Sequence, residues 1–432
     1  MNRPYSVFIR VGFLIAASIT MAFNALAADP TSTCYTFDQC RGSSMVYVAP
    51  QNPASVPDSL TPVMINHVGR HGSRYPANSR HVDALLEVLS AADSAGTLTA
   101  TGREMLSVAS TVKRMSAGRW GALDSIGIAE QWGIAARMYA AYPTLFNGTR
   151  INAISSYSPR CIMSMYNFLH QITRLNNHVE ISANSGREYS RLMRFFDSDA
   201  DYSQYARGEA WRETYKAYCS TELPTAPLHR LLGDNFPYTT IDEAETTMAL
   251  YSVLAGTAAM DYGQCDISRF ATLDEWNRMW SCFNLRQYLL RSCSTLSAIP
   301  MDIASPLLSD LISTTDAAIS DVTTGRQFAA VQLRFGHAET LMPLLALMRL
   351  DGCYYLTNYF DTVRMHWRDF DIVPMAANLQ MVLFRSASGR FYVRVDLNEH
   401  PVPLVKGSDA IYIPWEEARA YLTRCIPLYY PD

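Results

Sequence analysis

Three apolar segments of this chain each stop at a polar cluster and give way to helical periodicity, and that recurrence limits the fold more than any other feature. Val63-Met64-Ile65-Asn66-His67-Val68 has the length and composition of a short buried strand. It leads into Gly69-Arg70-His71-Gly72-Ser73-Arg74-Tyr75-Pro76. Ile151 to Ser156 leads into Tyr157-Ser158-Pro159-Arg160, after which Ile162, Met165, Leu169 and Ile172 share a helical face. Phe328 to Phe335 leads into Gly336-His337-Ala338-Glu339-Thr340 and a further helical run. Strand, polar turn and helix in repetition predict an α/β fold. Ligands of such sheets sit at the carboxyl ends of the strands. The three clusters are therefore expected to converge.

Helical periodicity also marks Asp83 to Ala92 and Ile126 to Tyr142. In the second, Ile128, Trp132, Ala135 and Tyr139 fall on one face. Between Ser190 and Thr324 strand signals are scarce, and large apolar residues recur at helical spacing. The sequence thus predicts a mainly helical insertion over 190–324 that covers the cleft. The α/β core would be discontinuous, over 28–189 and 325–432. Leu379 to Arg385 and Phe391 to Leu397 flank Ser386-Ala387-Ser388-Gly389-Arg390 and read as a hairpin. Trp415 to Cys425 reads as a last helix.

The first 27 residues read as an export signal. Arg3 and Arg10 give a positive start before an apolar run, Val11 to Phe23, that is short for a bilayer span, and Ala25-Leu26-Ala27 has the form of a cleavage site. A mature chain from Ala28 is expected in the periplasm or outside the cell, with no membrane span left. Loss of the two arginines takes the formal charge from -4 to -6. With a pI near 6.2, the chain has no broad basic surface for nucleic acid. Any anionic ligand must be held by a local cluster. The nine cysteines would meet an oxidising compartment, where disulfides form. Cys34 with Cys40, and Cys282 with Cys293, are close enough in sequence to bridge. Cys161, just inside a helix, is the candidate for a buried free thiol.

The clusters carry a readable chemistry. A phosphate monoester bears roughly two negative charges near neutral pH, and guanidinium forks match its oxygens. Arg70, Arg74 and Arg160 can hold three of them, and a helix N-terminus near His71 would add backbone N–H donors. Neutral His71 would attack phosphorus, its protonated form disfavoured by the arginines around it. His337 would touch the same phosphoryl group. Glu339 would protonate the departing oxygen and then activate water. Protonated Glu339 in the first step implies an acidic optimum. The scheme needs no metal and no cofactor. Arg80, nearest the cluster in sequence, is a candidate outer substrate contact. Lys113, Arg114, Arg119, Arg187, Arg191 and Arg194 are further basic residues among which contacts to outlying phosphates are to be sought. His67, His81, His170, His178, His229, His366 and His400 read as structural or solvated. A phosphate-binding protein without turnover would use the same arginines but has no need of the nucleophile or the acid.

Arg70 to Pro76 resembles the RHGxRxP signature of the histidine acid phosphatases, and Arg160 lies where that family carries its third phosphate-binding arginine. His337-Ala338-Glu339 replaces the family's usual His-Asp. It resembles the form found in the multiple inositol polyphosphate phosphatases, which act on phytate. Leu192-Met193-Arg194-Phe195-Phe196-Asp197 and Ala376-Ala377-Asn378-Leu379 are similar to segments of that branch. The resemblance implies an α/β domain with a helical cover, a phosphohistidine at His71, Glu339 as proton donor, and a small polyphosphorylated substrate. Sugar phosphates or nucleotides are the alternative substrates.

Overall fold

The computed structural model describes residues 34–51, 54–148 and 150–428. Residues 1–27, which the sequence leads us to expect to be an export signal, lie outside them. An eight-stranded sheet forms the centre, in the order β3-β2-β4-β1-β5-β6-β7, with β8 paired to β6. The strands are β1 (Leu60–Arg70), β2 (Arg150–Ser155), β3 (Glu180–Ser185), β4 (Val331–Gly336), β5 (Asn378–Ser386), β6 (Phe391–Leu397), β7 (His400–Val402) and β8 (Ile413–Pro414). β3, β2, β4 and β1 run parallel, whereas β5 joins β1 antiparallel. β1 is central and both of its faces are covered. Its burial from Met64 to Arg70 is therefore continuous rather than alternating.

Side chains of β1 still divide by parity. Ile65 and His67 face the helices Ser125–Ala141 and Pro159–Leu175, where Phe168 and Phe335 pack against the His67 ring. Asn66 faces the helix Ser305–Thr324 and donates to Thr315 Oγ1 at 3.0 Å. Arg334 of β4 points the same way, to Asn66 Oδ1 at 2.9 Å and to Asp310. The helix Ser305–Thr324 is further fixed by Asp316, which accepts from Trp415 Nε1 and Arg419 Nε, both at 2.8 Å. It lies directly on the sheet beside the helices Ala338–Leu347 and Trp415–Cys425.

Every described element between β3 and β4 is helical. A separate apolar cluster joins the helices Arg80–Ser94 and Ala100–Ser116 to Ala226–Leu232, Glu243–Gly256 and the first half of Leu273–Arg291. The helical layer over the cleft thus draws on two stretches of chain. The helix Ala100–Ser116 and the edge strand β3 are additions to the elements expected from sequence. The hairpin of β5 and β6 and the final helix stand where the sequence placed them.

None of the nine cysteines is in a disulfide, so neither bridge suggested by spacing is formed. For Cys282 and Cys293 the reason is geometric. Nine residues of the helix Leu273–Arg291 follow Cys282, a rise of about 13 Å. Disulfide partners need Cα atoms within about 7 Å. The Cys282 thiol instead hydrogen-bonds with that of Cys219 on the neighbouring helix Ala210–Glu222.

Candidate active site

The register of the sheet brings the three junctions together. Arg70 pairs with Gly336 and Ser155 with Phe335, so the first residues beyond β1, β4 and β2 lie side by side. His71 N donates to Gly336 O at 3.0 Å and Ser156 N to Phe335 O at 2.9 Å. Arg70, His71, Arg74, Arg160, His337 and Glu339 are gathered here. His71 and His337 meet edge to face, with ring centroids 5.7 Å apart.

The loop that carries His71 is held by close backbone packing. A Cβ on Gly72 would stand 2.5–2.8 Å from the backbone of Gly127, so only glycine fits there. Buried Glu130 accepts from Ser73 N at 2.7 Å and Ser73 Oγ at 2.8 Å. Gln131 Nε2 donates to Arg70 O at 3.1 Å. No helix begins at His71, contrary to the sequence expectation. Loop and turn intervene before Arg80, because residues 73–76 lie against residues 121–124. Helix N-termini approach instead at Pro159–Leu175, which carries Arg160 in its first turn, and at Ala338–Leu347, whose N-cap is His337. Both contribute partial positive charge.

His71 turns Nδ1 to the carbonyl oxygen of Gly72 at 2.9 Å. A carbonyl only accepts, so Nδ1 carries the hydrogen and Nε2 keeps its lone pair. Burial, then Arg70, Arg74, Arg160 and His337, push the His71 pKa well below that of free imidazole. Arg70 is anchored by Nη1 to the carbonyls of Ser43 and Val373, both at 2.6 Å. Arg74 Nη1 donates to Tyr75 O at 2.8 Å. The Nε atoms of Arg70, Arg74 and Arg160 are buried and unpaired. Unused guanidinium donors around a neutral imidazole make a pocket for a tetrahedral anion.

His337 is also kept neutral. Burial pushes its pKa to about 3; Glu339 opposes this and Arg160 and Arg194 assist it. Its Nε2 lies 2.8 Å from Arg194 Nη1 and 2.9 Å from Ser156 Oγ, and its Nδ1 lies 3.2 Å from Arg160 Nη2. Cys161 is buried, as expected, and its thiol donates to Gly336 O at 3.1 Å beside the His337 ring. Glu339 lies deep in the cleft with 36% of its side chain open to it. Burial pushes its pKa up, but Arg291 at 3.6 Å, His337 and a backbone N–H outweigh this and hold it at about 2. In the unliganded site Glu339 is therefore a carboxylate, not the protonated acid expected from the sequence.

Arg80 stands outside this cluster. Its exposed guanidinium pairs with Glu245 at 2.8 Å. Arg194, one of six unplaced basic residues in the sequence, sits on His337; its segment's likeness to the inositol phosphatase branch was the available signal. Arg187 and Arg194 also clasp the Tyr157 ring, at 4.5 and 4.7 Å. Arg291 and Ser156 carried no sequence signal. Beyond Arg291 a cavity of about 390 Å³ opens, lined by Phe196, Tyr202, Trp211, Arg212, Arg286 and Arg291. Among the described residues no group of three or more His, Cys, Asp or Glu side chains could hold a metal ion. Nor is any helix among them long and apolar enough to cross a membrane.

The sequence model of the histidine phosphatase superfamily (branch 2) matches residues 63–398. The chain belongs to this superfamily. Among its relatives, the human multiple inositol polyphosphate phosphatase 1 is 25% identical over 398 residues, 84% of this chain and 79% of that protein. The chicken protein of the same name is 25% identical over 381 residues, covering 80% and 78%. Solved structures share the fold. The apo multiple inositol polyphosphate phosphatase of Bifidobacterium longum superposes with a TM-score of 0.77 at 18% identity, over 90% of this chain and 99% of that one. The phytase of D. castellii gives 0.70 at 16%, over 94% and 89%. In this histidine phosphatase the matched region contains all three junctions, from Arg70 to Glu339.

Proposed function

We propose that the protein is an exported phosphomonoesterase that removes phosphate from inositol polyphosphates such as phytate through a phosphohistidine at His71. One observation carries the reading: a buried, neutral His71 with Nε2 bare, ringed by three arginines whose Nε donors have no partner. Nε2 attacks phosphorus, the ester P–O bond breaks, and Arg70, Arg74 and Arg160 carry the equatorial oxygens. Glu339 delivers a proton to the leaving oxygen. It then takes one from water, which attacks the phosphohistidine, breaks the P–N bond and releases inorganic phosphate. Glu339 starts as a carboxylate, so its proton must arrive with the substrate. A bound phosphate dianion opposes Arg291 and raises the carboxyl pKa.

Three observations support a polyphosphorylated substrate. Arg212, Arg286 and Arg291 line the cavity beside the cleft. The curated relatives are named as inositol polyphosphate phosphatases. The B. longum protein was also solved in complex with inositol hexasulfate. The N-terminal segment supports export to the periplasm or medium. Turnover of phytate against glucose phosphates by the purified protein tests the substrate. Preference for phytate is expected; equal rates on every monoester would remove the inositol polyphosphate reading.

A further inference from the structure

We propose that Ser156 is a positioning residue that fixes His337 as the Nδ1–H tautomer, so that this ring donates one hydrogen bond to the phosphoryl group. The role assigned to that bond rests on the phosphatase reading; the tautomer does not.

The argument is a count of hydrogens. A neutral imidazole carries one N–H and one bare nitrogen. His337 is buried and neutral. Two guanidinium groups nevertheless approach it from opposite sides, Arg194 Nη1 at Nε2 (2.8 Å) and Arg160 Nη2 at Nδ1 (3.2 Å). Guanidinium only donates, so the ring can accept from just one of them. Ser156 decides which. Its Oγ accepts from Ser158 N and Arg194 Nη1, both at 3.3 Å. With its acceptor capacity engaged, its hydrogen is directed to His337 Nε2 at 2.9 Å. Two donors therefore converge on Nε2, which must be bare, and the hydrogen resides on Nδ1.

That leaves Nδ1–H facing Arg160, donor to donor. An anionic oxygen between them relieves the conflict by accepting from both. The one other group at Nδ1 is Cys161 Sγ at 3.7 Å, a weak acceptor, and Arg160 has a buried, unpaired Nε, so both groups gain a strong acceptor only when an anion arrives. Ser156 itself occupies the first position after β2 and is 1% exposed. Its backbone N–H is tied to Phe335 O. The hydroxyl is thus placed by the same sheet register that gathers the arginines.

The test is ¹⁵N NMR of His337 in the free full-length enzyme, paired with kinetics of Ser156→Ala and Ser156→Thr. The wild type should show a protonated Nδ1 and a bare Nε2. The alanine variant should show mixed tautomers and lose about tenfold in kcat with KM little changed, because a single hydrogen bond in the transition state is removed. Threonine keeps the hydroxyl and should restore most of the rate. A wild-type ring protonated at Nε2 overturns the proposal even if both variants fail to fold, and so does an alanine variant with undiminished kcat. Absence of any phosphatase activity beside an Nδ1–H ring would sink the functional reading and leave the tautomer assignment standing.

Discussion

The Nδ1 atom of His71 lies 2.9 Å from the carbonyl oxygen of Gly72, and this contact leaves Nε2 as the free end of the ring. Burial and three neighbouring arginines disfavour protonation. His71 should therefore remain a neutral Nδ1–H imidazole at pH 5, where an ordinary histidine is charged. Its ¹⁵N shifts in the free enzyme report this directly, and an imidazolium signal at pH 5 would contradict it. The same depression has a stability consequence of fixed sign. His67 and His337, both held at about 3, bind protons only after unfolding as pH falls below about 6.5. Each should remove about 1.4 kcal/mol per pH unit between about 6.5 and 3. Urea unfolding at pH 7 and pH 4 measures the fall.

Gly72 and Gly127 touch through backbone atoms. Gly72→Ala puts a methyl group 2.5–2.8 Å from the Gly127 backbone, and the His71 loop must shift. A displacement of about 1 Å at a reacting group costs on the order of 10²-fold in rate. A loss of that order in kcat is expected, checked by steady-state assay of the folded variant.

Arg291 faces Glu339 at 3.6 Å and is the foremost group holding its carboxyl at about 2 against burial. In Arg291→Met, burial prevails and the pKa rises. The acid form then persists to higher pH, so the limb of the rate profile that reports Glu339 should move upward, with KM for phytate also raised. The wild type should take up close to one proton when inositol hexasulfate binds below neutrality, and Glu339→Gln should take up none. Calorimetry in buffers of different ionisation enthalpy counts the proton.

Cys161 touches the His337 ring, yet burial pushes its thiol up to about 12. Thiolate is the reactive form. Iodoacetamide at pH 8 should leave activity intact and Cys161 unlabelled by peptide mass, while exposed Cys34 is alkylated. Rapid loss of activity with label on Cys161 would contradict the packing described here.

The candidate site is legible in the sequence because strand ends in a parallel sheet meet in space. Arg70, His71, Arg160 and His337 each follow or end an apolar run, and the register of β1, β4 and β2 does the rest. β3 escaped notice because, as an edge strand, it needs few apolar residues; Ile181 and Ala183 alternate with polar ones. The helix Ala100–Ser116 was obscured by Gly102, Ser107, Ser110 and Thr111, poor helix formers overridden by burial of Met105, Ala109 and Val112. Arg291 and Ser156 were invisible for another reason. Their roles depend on which side chain lies opposite, and no local pattern encodes that. The bridge expected between Cys282 and Cys293 failed because sequence proximity along a helix is axial distance.

The central claim is a covalent bond between phosphorus and His71. It is tested most directly by mixing the Glu339→Gln variant with phytate, quenching within milliseconds at alkaline pH, and mapping the phosphopeptide by mass spectrometry. The account predicts phosphate on His71, acid-labile and absent from His71→Ala. Phosphate found on another residue, or turnover by His71→Ala near the wild-type rate, would contradict it.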